Sequence, residues 1–470
     1  MHPDKVQVSH SMPISPARTI AFDALLRVET ENAYASEILH ARLNAKMNAK
    51  VSARDAALAT EIVMGALRWQ RLLDFLIARY IGKKAAALDP EVLIALRMGI
   101  YQTRYLARIP ARAAVSDSVE LIKRARKRSA ASLVNAVLRR AATESARPIE
   151  EFVSQKLAPA ETLALVHSHP TWLVERWLER FGRAKTVALL ETNNAPPSRV
   201  CAVLDSENRE EVIRSLVRAH VEFESGGLLR GAIIIRKGDV STTNVFENGE
   251  IIFQDEASQM IPLLLGVNRG ESVLDLCAAP GGKTMALARA AGPGALVVAT
   301  DRRESRLRAM RERLKLPGAG ASHVNMVALD ATTSLPFRAE FDRILVDAPC
   351  SGTGTLARNP EIRWKLKPGD LVELHQRQVQ LLRFALEHLA ARGTLLYSTC
   401  SLEHEENEDV IREMLELHPE FRACSAEIPT HALAEGVRAE TLIDASGAFR
   451  TFPPAQRTDG FFAAVLRRKQ

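Results

Sequence analysis

The chain has 470 residues, 47% of them hydrophobic and 25% charged, which allows about three domains at ~150 residues each and excludes a disordered or fibrous chain. Its formal charge is +7; residues 1–150 carry 24 Lys+Arg against 14 Asp+Glu, so the remainder sums to −3. A local surplus of this kind indicates either a polyanionic partner or a solvated basic face. No run approaches the ~18 apolar residues needed to cross a membrane. Asp4, Lys5 and prolines occupy the first twenty residues, where a signal peptide would be apolar, so no membrane association and a cytoplasmic location are expected.

From about Ala17 to Ala142 the pattern is helical. Leu93, Leu96 and Ile100 recur at steps of three and four, as do Val115, Val119 and Ile122, giving each segment one apolar stripe. An all-helical bundle over residues 1–150 is predicted. Lys123, Arg124, Arg126, Lys127 and Arg128 put five positive charges into six positions between two apolar helical segments. They form a candidate phosphate-contacting patch, with a solvated turn as the alternative.

Pro148, Pro159 and Pro170 mark a boundary near residues 145–165. Residues 151–249 then mix a helix at Trp172 to Phe181 with short strands at Arg199 to Leu204 and Ala232 to Ile235, a small α+β module. From Glu250 short apolar runs alternate with helical ones. Strands are predicted at Ser272–Leu276, Leu296–Thr300, Asn325–Leu329, Arg343–Val346 and Thr394–Tyr397. Each leads to a polar or reactive residue: Asp275, Asp301, Asp330, Asp347 and Cys400. The intervals from Asp275 to Asp301 and from Asp301 to Asp330, 26 and 29 residues, are each one βαβ unit long. A doubly wound parallel sheet over residues 250–470 follows, with its functional residues at the carboxyl ends of the strands.

The first of these strands leads into Cys277, Ala278, Ala279, Pro280, Gly281, Gly282 and Lys283. Small residues and two glycines let backbone approach a ligand before a helix opens. The tail Gly282-Lys283-Thr284 imitates a phosphate-binding P-loop, but that motif needs a glycine where Cys277 stands. Nucleotide triphosphate hydrolysis is therefore disfavoured, and without Gly-x-Gly-x-x-Gly hydride transfer gains no support. Asp301 is placed to accept the ribose hydroxyls of a nucleoside cofactor, or to cap the helix that follows. Asp330 could receive an adenine amino group. The five cysteines include no Cys-x-x-Cys pair, which disfavours a disulfide framework and a metal site. Cys350 and Cys400 each follow a strand end.

Together VLDLCAAPGGKT, DAPCSGTGTLARNPEIRW, YSTCSLEHEENE and the closing DGFF at Asp459 to Phe462 resemble the RNA 5-methylcytosine methyltransferases that use S-adenosylmethionine. The likeness covers roughly residues 240–470. Over about residues 17–142 the chain resembles the RNA-binding NusB fold, and the combination is similar to the small-subunit ribosomal RNA methyltransferases of the Sun family. In the middle segment the family's frequent Arg-Val-Asn is replaced by Arg199-Val200-Cys201.

The resemblance implies an S-adenosylmethionine cofactor held by Cys277 to Lys283, Asp301, Asp330 and Asp347. It further implies Cys400 as the nucleophile that adds to C6 of cytosine, and Cys350 as the residue that resolves the adduct. Addition is needed because C5 of cytosine is a poor nucleophile until the ring becomes an enamine. Lys283 could help to stabilise a thiolate, and Asp347 would contact the base or the methyl donor. A stacked base cannot reach a buried thiol, so the target cytosine is unpaired or flipped. The expected partner is 16S rRNA and the expected state a monomer. The alternatives are the same chemistry on tRNA or large-subunit rRNA, and a non-catalytic RNA-binding assembly factor.

Overall fold

The computed structural model describes residues 14–31, 33–43, 51–205 and 207–469. Asp4 and Lys5 lie outside the described residues. The chain divides into two compact units, residues 1–195 with 357–365 and residues 196–356 with 366–470.

The first unit is helical: α1 (Pro16–Glu31), α2 (Ala35–Leu43), α3 (Ala53–Arg68), α4 (Gln70–Ile81), α5 (Pro90–Tyr105), α6 (Ala111–Arg124), α7 (Ala131–Thr143), α8 (Pro159–Val166) and α9 (Thr171–Asn194). The boundaries follow local chemistry. Ser52 accepts the Asp55 N–H to open α3, proline occupies the first turn of α5, and Gly82 closes α4 at φ 71°. The predicted stripes are buried: Leu93, Leu96, Ile100, Val115 and Ile122 join one core with Ile62, Leu72 and Leu138. The helix read at Trp172 to Phe181 ends at Gly182, whose φ of 73° and ψ of 168° kink the chain, and a second helical half runs on to Asn194.

Residues 357–365, the second half of the DAPCSGTGTLARNPEIRW motif, belong to this helical unit. They satisfy groups that helix ends leave open. Glu361 accepts the Ala35 N–H at the start of α2 at 2.8 Å, and Trp364 donates to the Leu67 carbonyl near the end of α3 at 2.7 Å. Arg363, 1% exposed, donates to the carbonyls of Ser168 and Asn193 at 3.1 and 3.0 Å. Burial lowers its guanidinium to about 9.

The second unit begins with β1 (Arg199–Val203), α10 (Arg209–Arg218), β2 (Glu222–Ser225), β3 (Ile233–Lys237), the short α11 (Asn244–Glu247) and β4 (Ile251–Phe253). These strands form an antiparallel sheet in the order β2-β3-β1-β4. Then come α12 (Glu256–Leu265), β5 (Val273–Asp275), α13 (Gly282–Ala291), β6 (Val297–Asp301), α14 (Glu304–Leu314), β7 (Asn325–Ala328) and β8 (Phe341–Asp347). After α15 (Ile362–Lys365), which lies in the first unit, the chain continues through α16 (Pro368–Glu387), β9 (Leu389–Thr399), α17 (Glu408–Leu417), β10 (Phe421–Cys424), β11 (Phe449–Arg450), α18 (Pro453–Gln456) and β12 (Phe462–Arg468). The large sheet runs β10-β12-β9-β8-β5-β6-β7, with β11 paired to β12.

The five strands from β9 to β7 are parallel, as read from the sequence. β12 adds antiparallel to β9, so the sheet is mixed rather than wholly parallel. Apolar residues line both its faces, Leu345 and Leu396 among one set and Leu274, Ile344 and Leu395 among the other. This two-sided burial is what a parallel sheet covered by helices requires.

Candidate active site

β8 and β9 are parallel neighbours, with Asp347 opposite Ser398. The chain therefore leaves both strands at the same edge. Ala348 N–H donates to the Ser398 carbonyl, Leu402 N–H to Thr353 Oγ1 and Gly354 N–H to the Cys400 carbonyl, at 2.8, 2.9 and 3.0 Å. These bonds zip the two loops together and bring Cys350 Sγ to 3.3 Å from Cys400 Sγ. Gly354 has to be glycine, since a Cβ there would lie 2.2 Å from the Gly460 carbonyl oxygen. The closing DGFF motif thus packs against the Cys350 loop, and Gly460 N–H donates to the Gly354 carbonyl at 2.8 Å.

The Cys350 thiol is held well above its usual range by its hydrogen bond with the Cys400 thiol, by burial, and by the charges of Cys400 and Glu406. Asp347 shares the edge. Its Oδ2 accepts from Lys283 Nζ at 2.5 Å and its Oδ1 from Ser398 Oγ at 2.8 Å. The Lys283 ammonium also lies 5.0 Å from the centre of the Phe461 ring. Among the described residues its partners are therefore a carboxylate and an aromatic face.

The loop from Cys277 to Gly282 joins β5 to α13. Ala278 N–H donates to the Thr300 carbonyl and Gly281 N–H to the Ala278 carbonyl, both at 2.8 Å, and the Ala279–Pro280 peptide is cis. Gly281 stands at φ 100°, where a Cβ would also come 2.8 Å from Met310 Cγ, so only glycine fits. No side chain caps α13, whose first N–H groups face the loop. Burial, helped by nearby carboxylates, raises the Cys277 thiol. Asp275 is 1% exposed and pushed up to about 7, mainly by burial. Thr284 Oγ1 donates to its Oδ2 at 2.6 Å, while Oδ1 has no partner among the described residues.

Asp301 ends β6 half-buried, and its Oδ1 accepts the Arg303 N–H at 2.8 Å. The capping alternative is partly realised, through Oδ1. Asp330 lies two residues beyond β7; its Oδ1 accepts from Thr332 N–H and Oγ1 at 3.0 and 2.6 Å, and Arg302 stands 3.7 Å from Oδ2. A tight glycine loop, an open helix start and half-buried acids at the next two strand ends fit an adenosyl cofactor with a charged tail.

The basic turn is partly neutralised. Lys123 pairs with Glu120 at 2.7 Å, Arg124 with Asp23 at 3.0 Å and Lys127 with Asp89 at 2.7 Å. Arg126, at φ 62°, and Arg128 are exposed, with no ion pair among the described residues. No cluster of three His, Cys, Asp or Glu suited to a metal occurs among the described residues, and none of their helices is long and apolar enough to cross a membrane.

Three family descriptions match the chain: NusB over residues 15–143, the RsmF/B-like ferredoxin-like domain over 169–241, and 16S rRNA methyltransferase RsmB/F over 262–467. The probable ribosomal RNA small subunit methyltransferase B of Bacillus subtilis is 32% identical over 97% of this chain and 100% of its own. The ribosomal RNA small subunit methyltransferase B of Pseudomonas putida is 34% identical over 96% and 98%. The crystal structure of PH0851 superposes with a TM-score of 0.81 at 27% identity, covering 97% of this chain and all of that one.

Proposed function

The chain belongs to the 16S rRNA methyltransferase RsmB/F family, and we propose that it methylates C5 of one cytosine in small-subunit ribosomal RNA through a covalent bond between Cys400 and C6. The observation that carries this reading is the pair of thiols 3.3 Å apart at one sheet edge, beside the Lys283–Asp347 ion pair.

S-adenosylmethionine, held at the loop from Cys277 to Lys283 with Asp301 and Asp330, supplies a methyl group on a sulfonium centre. Cys400 attacks C6 as a thiolate, and the ring electrons move to C5, which becomes able to accept that methyl group. Asp347, fixed by Lys283 and Ser398, faces the base or the donor. Cys350 acts at release: as a thiolate it takes the C5 proton, the C5–H electron pair re-forms the C5–C6 double bond, and the C6–Sγ bond breaks to return Cys400 as a thiolate. One thiol in contact with another suits this division, because the two compete for protons.

Residues 1–150 form the RNA-gripping region, residues 151–249 an intermediate module and residues 250–470 the catalytic region. Phosphate contacts by Lys123 to Arg128 would add affinity without reading sequence. Cys400→Ala is expected to lower methyl transfer by ~10³-fold or more while RNA binding persists. Normal turnover by that variant would overturn the nucleophile assignment. Bisulfite sequencing of rRNA and tRNA with and without the gene tests the substrate. Loss of one small-subunit cytosine methylation is expected, and an unchanged 16S profile would refute it.

A further inference from the structure

Cys350 and Cys400 are each followed by a serine, and both serines reach the same carboxylate. Ser351 N–H donates to Glu406 Oε1 at 2.7 Å, and the Oγ atoms of Ser351 and Ser401 both donate to Glu406 Oε2. Gln378 Nε2 donates to Oε1 at 3.0 Å, and the Glu406 carbonyl accepts from Tyr397 Oη at 2.7 Å. The two serine hydroxyls are 3.1 Å apart. Glu406 is 0% exposed, so this acid is bonded on every side by the two thiol-bearing loops and the helix and strand behind them. Burying a carboxylate carries a desolvation cost that an apolar residue of similar size would not. The four donors that converge on it are the compensation, and they belong to segments that have to be held in register for the thiols to meet.

We propose that Glu406 is a positioning residue whose carboxylate ties the Cys350 loop to the Cys400 loop and so sets the spacing of the two thiols. The proposal rests on the reading of Cys400 and Cys350 as the reacting pair. Burial also raises the Glu406 carboxyl, and its charge is among the causes that raise the Cys350 thiol, so the tie also biases a proton toward Cys350.

Glutamine is the discriminating replacement. Its Oε1 can keep the Ser351 N–H and Gln378, while its amide group donates to the two serine hydroxyls, which turn to accept. Alanine removes the tie. The full-length protein is treated with dibromobimane, which fluoresces strongly once two thiolates have each displaced a bromide; peptide mass spectrometry locates the bridge. This readout needs neither RNA nor methyl transfer. Glu406→Ala is expected to slow bridging of Cys350 to Cys400 at least tenfold and to lower kcat at least 100-fold, with a cooperative thermal transition retained. Glu406→Gln is expected to restore bridging to within threefold and kcat to within tenfold.

Wild-type bridging in Glu406→Ala overturns the proposal, as does a glutamine variant as slow as alanine in both measurements. Should Glu406→Ala lose its cooperative transition, Ser401→Ala decides: bridging slowed three- to tenfold supports the tie, and an unchanged rate overturns it. If Cys400→Ala kept full turnover, the nucleophile reading would fail separately, because bridging reports geometry alone.

Discussion

The edge that carries Cys350 and Cys400 and the turn from Lys123 to Arg128 are both concentrations of reactive or charged side chains, yet they are built on opposite terms. At the edge, Ser351, Ser401 and Glu406 are 6%, 1% and 0% exposed, and Ser351 on one loop is answered by Ser401 and Glu406 on the other. At the turn, the side chains of Lys123 and Arg124 are 45% and 46% exposed, and each answers a carboxylate in water. Low dielectric makes each interaction at the edge count heavily, whereas solvent and salt discount those at the turn. On the proposed function, what depends on geometry is concentrated in a few residues at the edge, and affinity for RNA at the turn is spread over many.

Beyond loss of Cys400 itself and of the Glu406 tie, the largest effect expected from breaking the edge is at Cys350. Cys350→Ala should lower turnover on the order of 10²-fold, and it should do so after C–S bond formation, so that a covalent protein–RNA complex builds up. Denaturing gel electrophoresis with labelled RNA reads this directly. A variant equally slow but free of adduct would mean that Cys350 acts before addition, and the release role would fall.

The contrast also explains what was legible in the amino-acid order. The five parallel strands stood out because each is a short apolar run ending in a polar residue, although β9 starts earlier than its apolar core, at Leu389, across the polar Arg392 and Gly393. The strand β2 was missed because its residues Glu222–Ser225 are mostly exposed and carry no apolar run. The whole of β12 went unread as well, although Phe462 to Leu466 are a buried apolar run, because this segment was read only as the closing DGFF motif. The motif around Cys350 could be read as chemistry, but nothing local told that its second half, residues 357–365, would belong to the helical unit and cap its helices. Glu406 was overlooked among the acids of YSTCSLEHEENE. Its signal was relational: an acid that serves the serine after each cysteine, visible only once β8 and β9 are neighbours.

Asp275 tests whether a buried charge at this edge carries a stability cost that an exposed one does not. Burial raises it to about 7, the Thr284 hydroxyl and the Lys283 charge working against the shift and the charges of Asp347 and Asp301 with it. An unfolded chain releases this proton near pH 4, the folded chain only near pH 7. Unfolding therefore sheds a proton between those values, and wild-type stability falls as pH rises from about 4 to about 7. The shift corresponds to at most about 4 kcal/mol. In Asp275→Asn the amide oxygen can still accept from Thr284, and the unpartnered position receives an NH2 in place of an unpartnered oxygen. The variant is expected to melt several degrees above wild type at pH 8, with the gain shrinking toward pH 4. Equal melting curves at pH 8 would show that the edge accommodates this charge without cost.

The smallest effect belongs to the turn, and it separates charges that are already answered from charges that are free. Lys123 and Lys127 are paired with Glu120 and Asp89, so a phosphate has to displace a carboxylate to use them. Arg126 and Arg128 are exposed without such partners among the described residues. Each phosphate that the protein no longer neutralises should flatten the slope of log affinity against log salt by ~0.7 to 0.9. Arg126→Ala with Arg128→Ala is therefore expected to weaken RNA binding several-fold and to reduce the slope by ~1 to 2, whereas Lys123→Ala with Lys127→Ala should change it by half of that or less. Binding isotherms at stepped salt concentrations measure both. If the paired lysines cost as much as the free arginines, ion pairing at the turn does not shield it from RNA; if neither pair changes the slope, the turn is a solvated face and the helical unit grips RNA elsewhere.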